Sequence, residues 1–161
     1  MKKYAIEIKW GIRFFLIQLV WLYSEKMMGY YDEKLAEHAM YSLLFYIPAI
    51  FIYYLAIREK KQHYFHNQMD WKQGAISGIF LTTVIALLTP LQQIIFHKGM
   101  APEFLPNMIA LAVKNGHKPE AAAIYFSLSS YIFQSIFTVL SFGVVISAIV
   151  AYFLRTKPVK I

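Results

Sequence analysis

The chain has 161 residues, 58% hydrophobic, 17% aromatic and only 16% charged, against about 45–50% apolar and about 25% charged in an average soluble domain. That excess excludes intrinsic disorder and, in a length that allows one domain, a water-soluble core of ordinary proportions. The lack of Cys removes disulfides, thiolate metal ligands and a Cys nucleophile, and the net charge of +7 lies at the ends of long apolar runs, unlike the single basic face of a nucleic-acid binder.

A bilayer core about 30 Å thick needs roughly 20 apolar residues as helix, and the chain offers four such runs. The first spans about residues 10–28 and ends in Glu25-Lys26-Met27-Met28 without a small-x-small cleavage site. It reads as a retained span, not as a signal peptide. The second covers about residues 39–57, and the third about 74–96, interrupted by Pro90. An external stretch from His97 to Lys118 follows, in which Pro106 and Gly116 frame a short helix over about 104–116. That helix is expected to lie at the membrane interface over the mouth of the bundle; the alternative is a loop helix filling space between its neighbours. The fourth span covers about 120–154, with Pro119 in its first turn and Glu120 at the positive end of the dipole. It exceeds what a bilayer requires, so its first turns, with Ser127, Ser129 and Ser130, should project from the lipid. The expected fold is all-α: one integral-membrane four-helix bundle over residues 1–161, with one short external interfacial helix and no internal repeat.

Orientation follows from Lys and Arg outside the spans. Lys2, Lys3, Lys9, Arg13, Arg58, Lys60, Lys61, Lys72, Arg155, Lys157 and Lys160 fall on one side, eleven against the five of Lys26, Lys34, Lys98, Lys114 and Lys118. Both termini should therefore be cytoplasmic. The stretch Arg58-Glu59-Lys60-Lys61 reads as a topology determinant, and Trp10, Trp71, Tyr53, Tyr54 and Tyr152 fall at the inner headgroups.

Small residues let membrane helices approach closely. Gly74 and Gly78 open the third span, and Gly143, Ser147 and Ala151 recur at four-residue steps in the fourth. These two helices are expected to be close-packed neighbours. The same seams leave an oligomer possible.

Ionisable groups inside lipid need a partner or a route to water. Glu25, His38, Tyr41, Gln93, His97 and Gln134 all fall at the external ends or outer halves of the spans, where they are expected to line one outward polar cavity; the alternative is a set of interfacial residues meeting water. The inner halves hold almost nothing comparable. His38, His97 and Glu25 lack the local spacing of a metal motif, so no metal or other cofactor is expected. A Glu–His pair suits acid–base work on a lipid-linked substrate, yet no nucleophile elbow, phosphate loop or nucleotide fingerprint accompanies it, and no catalytic residue is assigned.

The runs Glu25-Lys26-Met27-Met28-Gly29, Asp32-Glu33, His38-Ala39-Met40-Tyr41 and Phe45-Tyr46-Ile47-Pro48-Ala49 make a pattern with Lys72-Gln73-Gly74, Ser77-Gly78, Thr89-Pro90-Leu91, Gln93, Pro102-Glu103-Phe104 and Pro106-Asn107. The pattern resembles a family of small bacterial inner-membrane proteins known only as domain of unknown function four-one-nine-nine, over nearly the whole chain. The resemblance implies the architecture and a bacterial envelope, with no reaction attached. The expected function is a non-enzymatic accessory or binding subunit of the inner membrane that engages a lipid or a larger membrane-protein complex. The alternatives are a small carrier or flippase-like protein for a lipid-linked or amphiphilic substrate, and a lipid-modifying enzyme.

Overall fold

A computed structural model describes residues 3–156; Lys2, Lys157 and Lys160, which entered the charge count, lie outside the described residues. Every regular element among them is helical. Helix α1 covers Ala5–Met27, a 3-10 turn Leu35–Glu37, α2 His38–Leu43 and α3 Tyr46–His63. Helix α4 covers Trp71–Ile94 and passes into a π-helical segment at Ile95–Met100, followed by α5 (Phe104–Lys114), α6 (Pro119–Tyr125) and α7 (Leu128–Leu154).

Three segments are long and apolar enough to cross a membrane: Leu35–His63, Trp71–Met100 and Leu128–Leu154, of 29, 30 and 27 residues. Their apolar side chains stay largely outside the core, with Leu87 75%, Phe133 74%, Phe137 73% and Phe153 77% exposed. The protein is therefore read as a membrane protein. The expected first span is helical too, but α1 carries Glu7, Lys9, Arg13, Glu25 and Lys26 and falls outside that set.

The helix boundaries differ from the expected spans in three places. The second span is not one smooth helix, because Pro48 cannot donate to Leu44 and its ring crowds that carbonyl. The chain accordingly turns at Leu44 and Phe45 and restarts at Tyr46, and α3 then runs past Ile57 through Arg58–His63. The third span extends four residues beyond Phe96 as the π-helical segment. It begins on a reciprocal cap: the Gln73 amide donates to Asp70 Oδ1 at 2.8 Å, and the Asp70 amide donates to Gln73 Oε1 at 3.0 Å. The fourth does not project as a continuous rod. Ser127 ends α6 by donating to the Ile124 carbonyl at 2.9 Å and caps α7 by accepting from the Ser130 amide at 3.3 Å. Helix α5 closes on Gly116, at φ +91°, with the His117 amide reaching the Ala112 carbonyl at 3.0 Å.

The residues cluster into two compact units. The first comprises residues up to 14, 46–87 and from 138 onward. In it α4 and α7 meet along their small residues. A Cβ built on Gly78 would stand 2.5 Å from Ser147 Cβ, on Gly74 2.9 Å from Ala151 Cβ, and on Gly143 2.4 Å from Thr82 Cγ2. Tyr53 and Thr82 share a hydrogen bond of 2.8 Å beside that seam. The second unit comprises residues 15–45 and 88–137. Its core joins Tyr31, Phe96, Ala101 and Phe104, flanked by Leu22, Leu35, Met108 and Tyr131.

Candidate functional site: a closed carboxylate cluster

The second unit is organised around Glu25, whose side chain is fully buried. Trp21 stands one turn earlier on α1 and donates its indole N–H to Glu25 Oε1 at 2.8 Å. After α1, Gly29 at φ +79° turns the chain back, a conformation that costs glycine little. The return brings the buried Tyr31 hydroxyl onto Glu25 Oε2. Helix α2 then presents two residues one turn apart. Ser42 donates to Glu25 Oε1 at 2.8 Å, and His38 Nε2 lies 3.8 Å from Glu25 Oε2 and 3.2 Å from Ser42 Oγ. The carboxylate therefore accepts three hydrogen bonds and has an imidazole beside it, which offsets the several kcal/mol that an unpaired buried carboxylate costs. Burial and the bond to Glu25 push the Tyr31 phenol well above its ordinary range, so it remains a donor.

The other expected site residues divide. Tyr41 stacks between Trp21 and Tyr30, at 5.5 and 4.2 Å between ring centroids, with its hydroxyl 3.1 Å from Met28 Sδ. His97 sits on the π-helical segment with its ring packed on Phe96, Phe104 and Tyr131. It is buried, and neither ring nitrogen has a hydrogen-bond partner. His38 packs on the same Phe104 ring, at 4.9 Å. Gln93 bonds Ser135 on α7 at 2.8 Å, and Gln134 bonds Ser130 at 2.9 Å. Glu25, His38 and Tyr41 thus form one cluster, His97 borders it through Phe104, and the two glutamines bind α7. Among the described residues no group of three His, Asp or Glu is arranged to hold a metal ion.

A second buried cluster, in the first unit, was missed from sequence. Lys60 Nζ lies 2.9 Å from Glu7 Oε1, and Ser77 donates to the same oxygen at 2.8 Å. Lys60 also donates to the Lys3 carbonyl and stands 4.1 Å from the centre of the Tyr64 ring. A signal for Glu7 was present: it precedes Glu25 by eighteen residues, which is about five turns at 3.6 residues each. The two carboxylates share a face of α1 with Gly11, Phe14, Gln18 and Leu22. Lys60 gave no such signal, because it lies in a run of charges that reads as solvated.

A family model described as a protein of unknown function (DUF4199) matches residues 9–156, from the first turns of α1 to beyond the end of α7. No curated protein and no solved structure matches the chain.

Proposed function

The chain belongs to this family of unknown function, and we propose that it is a four-span protein of the bacterial inner membrane, termini cytoplasmic, that works by contact with a lipid or a larger membrane partner and not by turnover. The supporting observation is that its buried charge is consumed internally while its apolar side chains face outward. Both oxygens of Glu25 accept hydrogen bonds, Oε1 from Trp21 and Ser42 and Oε2 from Tyr31, which ties the group to its neighbours. Glu7 is held by Lys60 and Ser77.

The same pairing supports α1 as the fourth crossing. Lys9 and Trp10 both bond Glu59, and the Arg13 guanidinium stacks over Trp10 at 4.6 Å. With Glu7 and Glu25 turned inward, the outward stripe of α1 is Ile8, Ile12, Leu16, Val20, Tyr23 and Met27, all exposed. An apolar stripe at helical spacing over the whole element is what lipid contact requires. Charge counted along the sequence overstates what this helix would show to a bilayer.

Purification in mild detergent, with quantitative identification of co-purifying lipids and proteins, tests the reading. Stoichiometric retention of a lipid class or a membrane protein is expected. A bare protein, or transport of a labelled polyprenyl phosphate after reconstitution in vesicles, would contradict it.

A further inference from the structure

A cleft of about 140 Å³ opens in the second unit between the end of α1 and the start of α5. Its rim carries charge of both signs, Lys26 against Asp32 and Glu103, and its floor is the buried rings of Tyr31 and Phe104.

Two of the three charged groups, Lys26 and Asp32, are held by neighbours in the fold. Lys26 donates to the carbonyl of Met100, itself part of the wall, and an ammonium keeps two further donors. Asn107 spans the Tyr31 carbonyl at 3.2 Å and Asp32 Oδ1 at 3.4 Å, holding Asp32 toward α5. Met27 and Met28, which follow Lys26 on the chain, are 71% and 49% exposed.

We propose that this cleft binds a zwitterionic amine–phosphate lipid headgroup, with Lys26 on the phosphate, Asp32 and Glu103 on the primary ammonium, and the acyl ends along Met27 and Met28. The inference rests on the lipid-contact reading above and names its ligand. Phosphate and ammonium each complete a charge-assisted hydrogen bond, the strong class. An anionic headgroup without an amine leaves the two acids facing negative charge. A trimethylammonium group offers them no N–H donor.

The test offers the purified, delipidated protein an equimolar mixture of phosphatidylethanolamine, phosphatidylglycerol and phosphatidylcholine, with retained lipid read by native mass spectrometry. Phosphatidylethanolamine should be enriched over both others. Lys26→Gln and Glu103→Gln should each reduce that enrichment about tenfold, while Lys26→Arg keeps it and guards against loss of fold. Retention of lipid that is indifferent to class and to these substitutions overturns the cleft assignment and leaves the lipid-contact reading standing; retention of neither lipid nor partner overturns that reading itself. Soluble glycerophosphoethanolamine, added in place of lipid, separates the sources. Lys26-dependent binding of the soluble compound with no preference among the lipids would reassign the cleft to a soluble ligand and overturn the proposal.

Discussion

Tyr31 shows what a single hydroxyl does in this protein. It closes one oxygen of a carboxylate that has no access to water. Tyr31→Phe should lower stability by ~1–3 kcal/mol, the cost of leaving a buried acceptor short of a donor, read as a drop in Tm in detergent. The raised phenol pKa gives a second readout. Up to about pH 10 the folded and unfolded chains both hold the proton; above it the unfolded chain releases the proton while the folded chain retains it. Stability should therefore fall as pH rises beyond 10, and Tyr31→Phe should flatten that fall. The Glu7–Lys60 pair makes a different prediction. Glu7→Leu or Lys60→Met alone should destabilise by ~3–5 kcal/mol, and the two together should recover much of the loss; a double-mutant cycle measures it. At this scale the sequence was half legible. Glu25 stood out because an ionisable group inside an expected span needs a partner. Tyr31 and Ser42 did not, because a tyrosine in a turn and a serine in a short helix take their meaning from the chain reversal at Gly29.

Helix existence was legible because apolar runs of this length have few other solutions; helix ends were not, because they turn on single polar atoms. Ser127 divides what hydropathy joins, and Pro48 opens a helix after a break that composition conceals. Gly116 closes α5 at φ +91°, and the small residues of α4 and α7 stand close against one another. Gly78→Ala tests the seam. Its new Cβ would lie 2.5 Å from both Ser147 Cβ and Ser147 Oγ, so the helices must part or the serine must move. A loss of ~1–3 kcal/mol is expected, seen as a lower Tm. Gly99, whose Cβ would meet nothing within 4 Å, should accept Ala with little change and serves as the control.

For the whole molecule, composition located the protein in a membrane, and the charge count supplied a proposed direction. What composition could not supply is how the charge inside the helices is disposed of. That depends on pairs far apart in sequence, Glu7 with Lys60 and Glu25 with Ser42. With those charges paired, many apolar side chains of the long helices remain exposed, which is the basis of the proposed lipid contact. The absence of Cys makes the decisive measurement clean. Single Cys substitutions at Glu33, Asn67, Phe137 and Val145 can be labelled with a membrane-impermeant maleimide in spheroplasts, before and after lysis; positions 137 and 145 are exposed side chains in the middle of α7. Labelling is expected at position 33 in intact spheroplasts, at 67 only after lysis, and at 137 and 145 in neither. Labelling of 137 or 145 from the aqueous phase, or of 67 in intact spheroplasts, would contradict the proposed membrane arrangement.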